Sequence, residues 1–125
     1  MITERLSFRT KYGHGDELVA LFKEWHNTMA RDLGASGLRI YTDATGPMFT
    51  VAVETDFADM AAYGAYTSKA SQVFAEPRFG EWFGRMQQVT EHGERQIFNL
   101  ETLAQRRRPS VGRTASGRRR ARSAV

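Results

Sequence analysis

The chain has 125 residues, 41% of them apolar and 26% charged, with no cysteine and a net charge of +4. That is one domain's worth of an ordinary globular mix. It excludes disulfides, a thiol nucleophile and cysteine-ligated metal centres, and no apolar run approaches the roughly 18 residues of a transmembrane helix.

Residues 2–12 alternate. Ile2, Leu6, Phe8 and Tyr12 share one face, interrupted by Glu4 and Thr10, and Thr3, Arg5, Ser7, Arg9 and Lys11 share the other. This predicts a strand with one apolar face. Gly13-His14-Gly15 breaks it, and Asp16 and Glu17 place acids at a helix start, where the helix dipole favours them. Leu18, Leu21, Phe22, Trp25 and Met29 repeat at helical spacing to about residue 33, and Gly34 and Gly37 stop that helix. Residues 38–43 and 48–55 read as two strands joined by the turn Ala44-Thr45-Gly46-Pro47, hence antiparallel neighbours.

Asp56 is the expected cap of a second helix, with Asp59 three positions on. Met60, Tyr63, Gly64, Thr67 and Phe74 are its expected buried side. Pro77 suits a fresh first turn, followed by Phe79, Trp82, Phe83, Met86 and Val89. Gly93 is expected to end that helix, and residues 94–101 to form a fourth strand. The order β-α-β-β-α-β predicts an α+β, ferredoxin-like fold with an antiparallel four-stranded sheet. Helices then cover one face only. Met48 to Val53 offer apolar groups to both faces of the third strand, so a second copy is expected to cover the other, giving a homodimer.

The charge divides the chain. Residues 104–125 hold eight arginines and no acid, for +8, whereas residues 1–103 hold ten basic and fourteen acidic residues, for −4. The expected organisation is a domain over 1–103 and a disordered arginine-rich tail over 104–125, too poor in apolar residues to offset its ordering entropy. Such a tail suits weak, non-specific contact with nucleic acid or an acidic protein surface. The N-terminus has no basic patch followed by an apolar core, so the expectation is a cytoplasmic protein with no membrane contact.

Two stretches carry a family resemblance: RIYTDATGPMFTVAVETDF over residues 39–57 and EPRFGEWFGRMQQVTEHGERQIFNLE over residues 76–101. They resemble dimeric α/β-barrel proteins, closest to the NIPSNAP-like branch with antibiotic-biosynthesis monooxygenases as cousins. The resemblance covers about residues 3–103. It implies a sheet-to-sheet homodimer and a small-molecule protein working without a bound cofactor, including cofactor-independent monooxygenase activity. The first strand keeps part of the NIPSNAP-like acid, arginine and tyrosine pattern in Glu4 and Arg9, with His14-Gly15 in place of Pro-Gly. The asparagine and histidine of the haem-degrading cousins have no counterpart in the first strand or in residues 57–75.

Candidate site residues follow. The histidines His14, His26 and His92 form no HxH or HExxH pair, so no metal site is expected. His26, beside the apolar stripe of the first helix, is the candidate catalytic base; its plainer reading is a boundary histidine. Trp25, Tyr41, Tyr63 and Trp82 are candidate walls of a pocket for a small apolar or aromatic molecule, and aromatics at helical spacing also serve as core. Arg9, Arg39 and Glu54 lie on strands and are expected to form an ion-pair network or an anion site. The alternative function is a dimeric interaction module whose basic tails reach an acidic partner. An apolar pocket between sheet and helices separates the two readings, because a filled core there favours the module.

Overall fold

The computed structural model describes residues 1–35 and 37–103, so the expectation for residues 104–125 lies outside the described residues. Eight elements follow in chain order: β1 (Ile2–Thr10), α1 (Gly15–Asn27), α2 (Met29–Asp32), β2 (Arg39–Thr42), β3 (Thr50–Phe57), α3 (Met60–Phe74), α4 (Pro77–Val89) and β4 (Thr90–Asn99). The sheet order is β2-β3-β1-β4, antiparallel throughout, with the helices on one side. This is the ferredoxin-like α+β arrangement that the element order predicts.

The sheet register sorts the side chains. Leu6 faces Val53 and Phe8 faces Val51 on the helix side, while Thr3 faces Asp56 and Arg5 faces Glu54 on the open side. Under the helices the core gathers Leu18, Phe22, Trp25 and Met29 with Val51, Val53, Val73, Trp82 and Val89. Trp82 is anchored by its indole N–H, which donates to the Leu21 carbonyl at 2.7 Å and so locks α4 to α1. Arg85 adds two parallel hydrogen bonds to the Glu24 carboxylate, at 3.0 and 2.6 Å. Even the polar interruptions of β1 are used. The Thr10 hydroxyl donates to the Phe49 carbonyl at 2.9 Å, and Glu4 accepts from the Tyr63 hydroxyl at 2.7 Å.

Five expectations change. The first helix is two, broken at Thr28, whose hydroxyl donates to the Glu24 carbonyl one turn back at 2.7 Å, a bond that bends helices. The cap of α3 is Asp59, which accepts from the Ala62 N–H at 2.8 Å; Asp56 stays in β3, where the register needs it. The buried side of α3 runs through Tyr66, Ala70 and Val73, while Met60 and Phe74 are exposed. Gly93 lies inside β4 opposite Phe8, where a Cβ would fall 3.0 Å from two ring carbons; it is a strand glycine cleared for an aromatic neighbour.

The fifth change concerns β3. It starts at Thr50 because Phe49 holds a left-handed backbone with φ of 59°. Met48 therefore falls outside the strand, and the open-side residues of β3 are Thr50, Ala52, Glu54 and Asp56, a largely polar row.

Candidate functional site

Two depressions flank the sheet. On the helix side, a cleft of about 350 Å³ opens between the N-terminal part of α3, the end of β3 and the loop after α2. Ala62, Ala65, Tyr66 and Lys69 line one wall, Thr55 and Phe57 the floor, and Leu33, Gly34 and Ala35 the opposite wall. The α3 residues stand at i, i+3, i+4 and i+7, a single stripe of the helix. Two alanines at the start of that stripe leave the space that larger side chains would fill. Gly34, with φ of 75°, lets the chain turn sharply after α2 and keeps the opposite wall low.

An ordered polar edge adjoins the cleft. Phe57 packs between Tyr63 and Tyr66 with ring centroids 5.1 Å from each. The Tyr63 hydroxyl donates to Glu4, and Arg95 meets the same carboxylate oxygen at 3.2 Å. Burial, then the bond to Glu4, pushes the Tyr63 phenol up to about 12. Burial also raises the Tyr66 phenol, with the Glu4 charge adding to it. Both phenols are therefore neutral hydrogen-bond donors at neutral pH.

On the open side, a groove of about 400 Å³ has Ser7 and Ala52 for a floor, with Arg9, Tyr41, His92 and Glu94 around it. Beside it runs an ion-pair network. Arg5 donates to Glu54 at 2.7 Å, and Arg39 reaches both Glu54 at 3.1 Å and Asp56 at 2.8 Å. Thr3 donates to Asp56 at 2.7 Å. Burial pulls the Glu54 carboxyl upward, but the hydrogen bonds from Arg5 and Arg39 outweigh it and hold it below its usual value. The Arg39 and Thr3 hydrogen bonds hold Asp56 down at about 2 against burial. Arg39 is held above its usual range chiefly by Asp56.

The structure distributes the sequence-predicted residues over three places. Trp25 and Trp82 lie in the filled core, ring centroids 5.5 Å apart. Tyr63 stands at the edge of the α3 cleft, and Tyr41 is on the opposite face of the sheet, so the four rings do not border one space. His26 sits half-buried on α1, its Nδ1 buried without a hydrogen-bond partner among the described residues, and it does not line the cleft. Arg39 and Glu54 pair directly, while Arg9 is exposed beside the open-side groove. His14 bonds Glu17 at 2.6 Å, and His92 lies in β4 near Glu94 at 3.3 Å. Tyr66 belongs to the set of aromatic residues that could line a cavity, whereas Lys69, Thr55, Arg5 and Asp56 are not singled out as site residues by the sequence. The alanine stripe of α3 signals Lys69. Strict alternation through Arg5, Glu54 and Asp56 signals the network.

The chain thus has the ferredoxin-like α+β fold with a cleft between one helix and the sheet. Solved structures share it. A NIPSNAP domain protein from Burkholderia xenovorans matches with a TM-score of 0.67 at 17% identity, over 85% of this chain and all of that one. A NIPSNAP family protein from Agrobacterium tumefaciens matches at 0.63 and 20% identity, over 78% of this chain and 90% of that one. SnoaB, a cofactor-independent oxygenase from Streptomyces nogalater, matches at 0.58 and 16% identity, over 83% and 97%. These neighbours belong to the groups that the sequence resembles, and at such identities what they share with this chain is the fold. No protein-family model and no curated protein matches the sequence.

Proposed function

We propose that this protein binds a small apolar or aromatic molecule in the cleft between α3 and the sheet. The observation that carries the reading is the cleft itself. Under α1 and α4 the space between helices and sheet is filled by Trp25, Phe22 and Trp82, whereas under the first turns of α3 it stays open at about 350 Å³. That volume lies in the range of roughly 300–1,000 Å³ typical of small-molecule sites. The lining suits such a ligand: two aromatic rings and several aliphatic groups with a few polar atoms among them. The S. nogalater neighbour extends the reading to cofactor-independent oxygenation, in which the substrate supplies the electrons and the site supplies orientation and a proton acceptor. His26, the candidate acceptor, stands away from the cleft, so binding is the better supported half of the reading.

The reading includes a homodimer formed through the open face of the sheet. The Arg5, Glu54, Arg39 and Asp56 pairs are already satisfied within one chain, so covering them strands no lone charge. Sedimentation equilibrium at micromolar concentration is expected to give twice 14.2 kDa, and a monomer would refute this part.

The ligand site is tested by mass spectrometry of small molecules that co-purify with the protein. A molecule retained by the wild type and lost in the cleft-filling variant Ala62→Leu/Ala65→Leu supports the site. A molecule retained equally by both counts against it.

A further inference from the structure

Resting on the reading of the α3 cleft as a ligand site, we propose that its ligand carries a carboxylate, bound with its apolar body against Tyr66 and its charge at Lys69. The argument is a balance of charges and donors around the cleft. Two lining side chains carry formal charge, Asp56 and Lys69. The Asp56 carboxylate is taken by Arg39 and Thr3 on the other face of the sheet. Lys69 is exposed at the mouth, and no carboxylate among the described residues lies within ion-pair distance of it. The nearby carboxylate of Glu4 is itself engaged by Tyr63 and Arg95.

The polar groups inside the cleft point the same way. Thr55 is 9% exposed, and its hydroxyl makes no hydrogen bond among the described residues. That hydroxyl is not among the buried polar atoms left without a partner, so it is open to the cleft and free to meet a ligand placed there. The Tyr66 phenol stays protonated and is available as a donor. The cleft therefore presents two hydroxyls and one ammonium, a set that matches a ligand rich in acceptor oxygens with one negative charge. An amine ligand would place two cations together at the mouth, and a ligand with no charge would leave Lys69 unused. Lys69 follows Ala65 by one turn on the same stripe, so its ammonium stands at the rim while the ring occupies the space above the alanines.

The experiment uses 2-naphthoate and its neutral isostere 2-naphthamide, each titrated into the full chain and followed by amide chemical shifts. The expected result is that naphthoate binds about fivefold more tightly, the scale of one partly exposed ion pair. The preference shrinks as salt rises from about 20 to about 500 mM. It disappears in Lys69→Gln, in which the two probes bind with equal affinity. Equal affinity for the two probes, or an unchanged preference in Lys69→Gln, overturns the carboxylate assignment while leaving the cleft as a ligand site. If neither probe shifts the amides of Thr55, Ala62 or Tyr66, the cleft reading itself falls and takes this inference with it. Lys69 is exposed and unpaired, so the substitution leaves the fold intact.

Discussion

Gly93 shows how one residue carries the packing of a sheet. In β4 it stands opposite Phe8, and a Cβ there would come within 3.0 Å of the Phe8 ring, which itself lies 5.3 Å from the Phe22 ring. Gly93→Ala is therefore expected to destabilise the protein by about 1–2 kcal/mol through overpacking, measured by chemical denaturation; a neutral change would mean that the ring turns aside freely. Tyr63 offers a titration test. Its folded value near 12 stands above the ordinary value of 10. The neutral phenol's contribution is thus fully present below pH 10 and is lost as pH rises through about 12. Ultraviolet titration of Glu4→Gln should show Tyr63 ionising earlier than in the wild type, with a smaller shift of Tyr66 in the same direction. His26 illustrates where sequence stops at this scale: its position beside an apolar stripe is legible, but a helical wheel does not say which cavity a residue on the stripe's edge will meet.

At the scale of elements, most boundaries follow from local chemistry and the failures have identifiable causes. Pro77 does open α4, and Gly34 does follow the end of α2. The exceptions are places where a tertiary partner overrides the local signal. Asp56 looks like a helix cap, yet Arg39 and Thr3 claim its carboxylate, and Asp59 caps α3 instead. Asp59→Ala should cost about 1 kcal/mol, the usual value of a helix N-cap, in thermal or denaturant unfolding. On α3 two stripes compete, because Met60, Tyr63 and Thr67 share a side as plausibly as Tyr66, Ala70 and Val73. Only the sheet beneath decides between them, so the cleft was not legible from the periodicity alone.

The strand network makes a further prediction at this scale. Asp56 is depressed from 3.8 to about 2, so its contribution is present above pH 4 and is lost as pH falls toward 2. Unfolding curves of Asp56→Asn should show a shallower acid limb in that window than those of the wild type. Parallel limbs would mean that the pairing with Arg39 adds nothing to the folded state.

For the whole molecule, the order of elements was readable because it follows from where apolar period two gives way to period 3.6. The open face is more polar than residues 48–53 suggest, because Met48 falls outside β3 while Glu54 and Asp56 fall on that face. The division of charge also belongs to this scale. Residues 104–125 carry +8 against −4 for the rest. Deleting them is expected to move the melting temperature by no more than about 2 °C and to remove any salt-sensitive retention on nucleic acid. Unfolding of the shortened chain would refute that division of labour. The central claim is that the space beneath α3 is where a small molecule binds. Intermolecular nuclear Overhauser effects from 2-naphthoate protons test it most directly. The account predicts contacts to the methyl groups of Ala62, Ala65 and Leu33; contacts instead to Ala52 or Thr45 on the opposite face of the sheet, or none to the cleft, would contradict it.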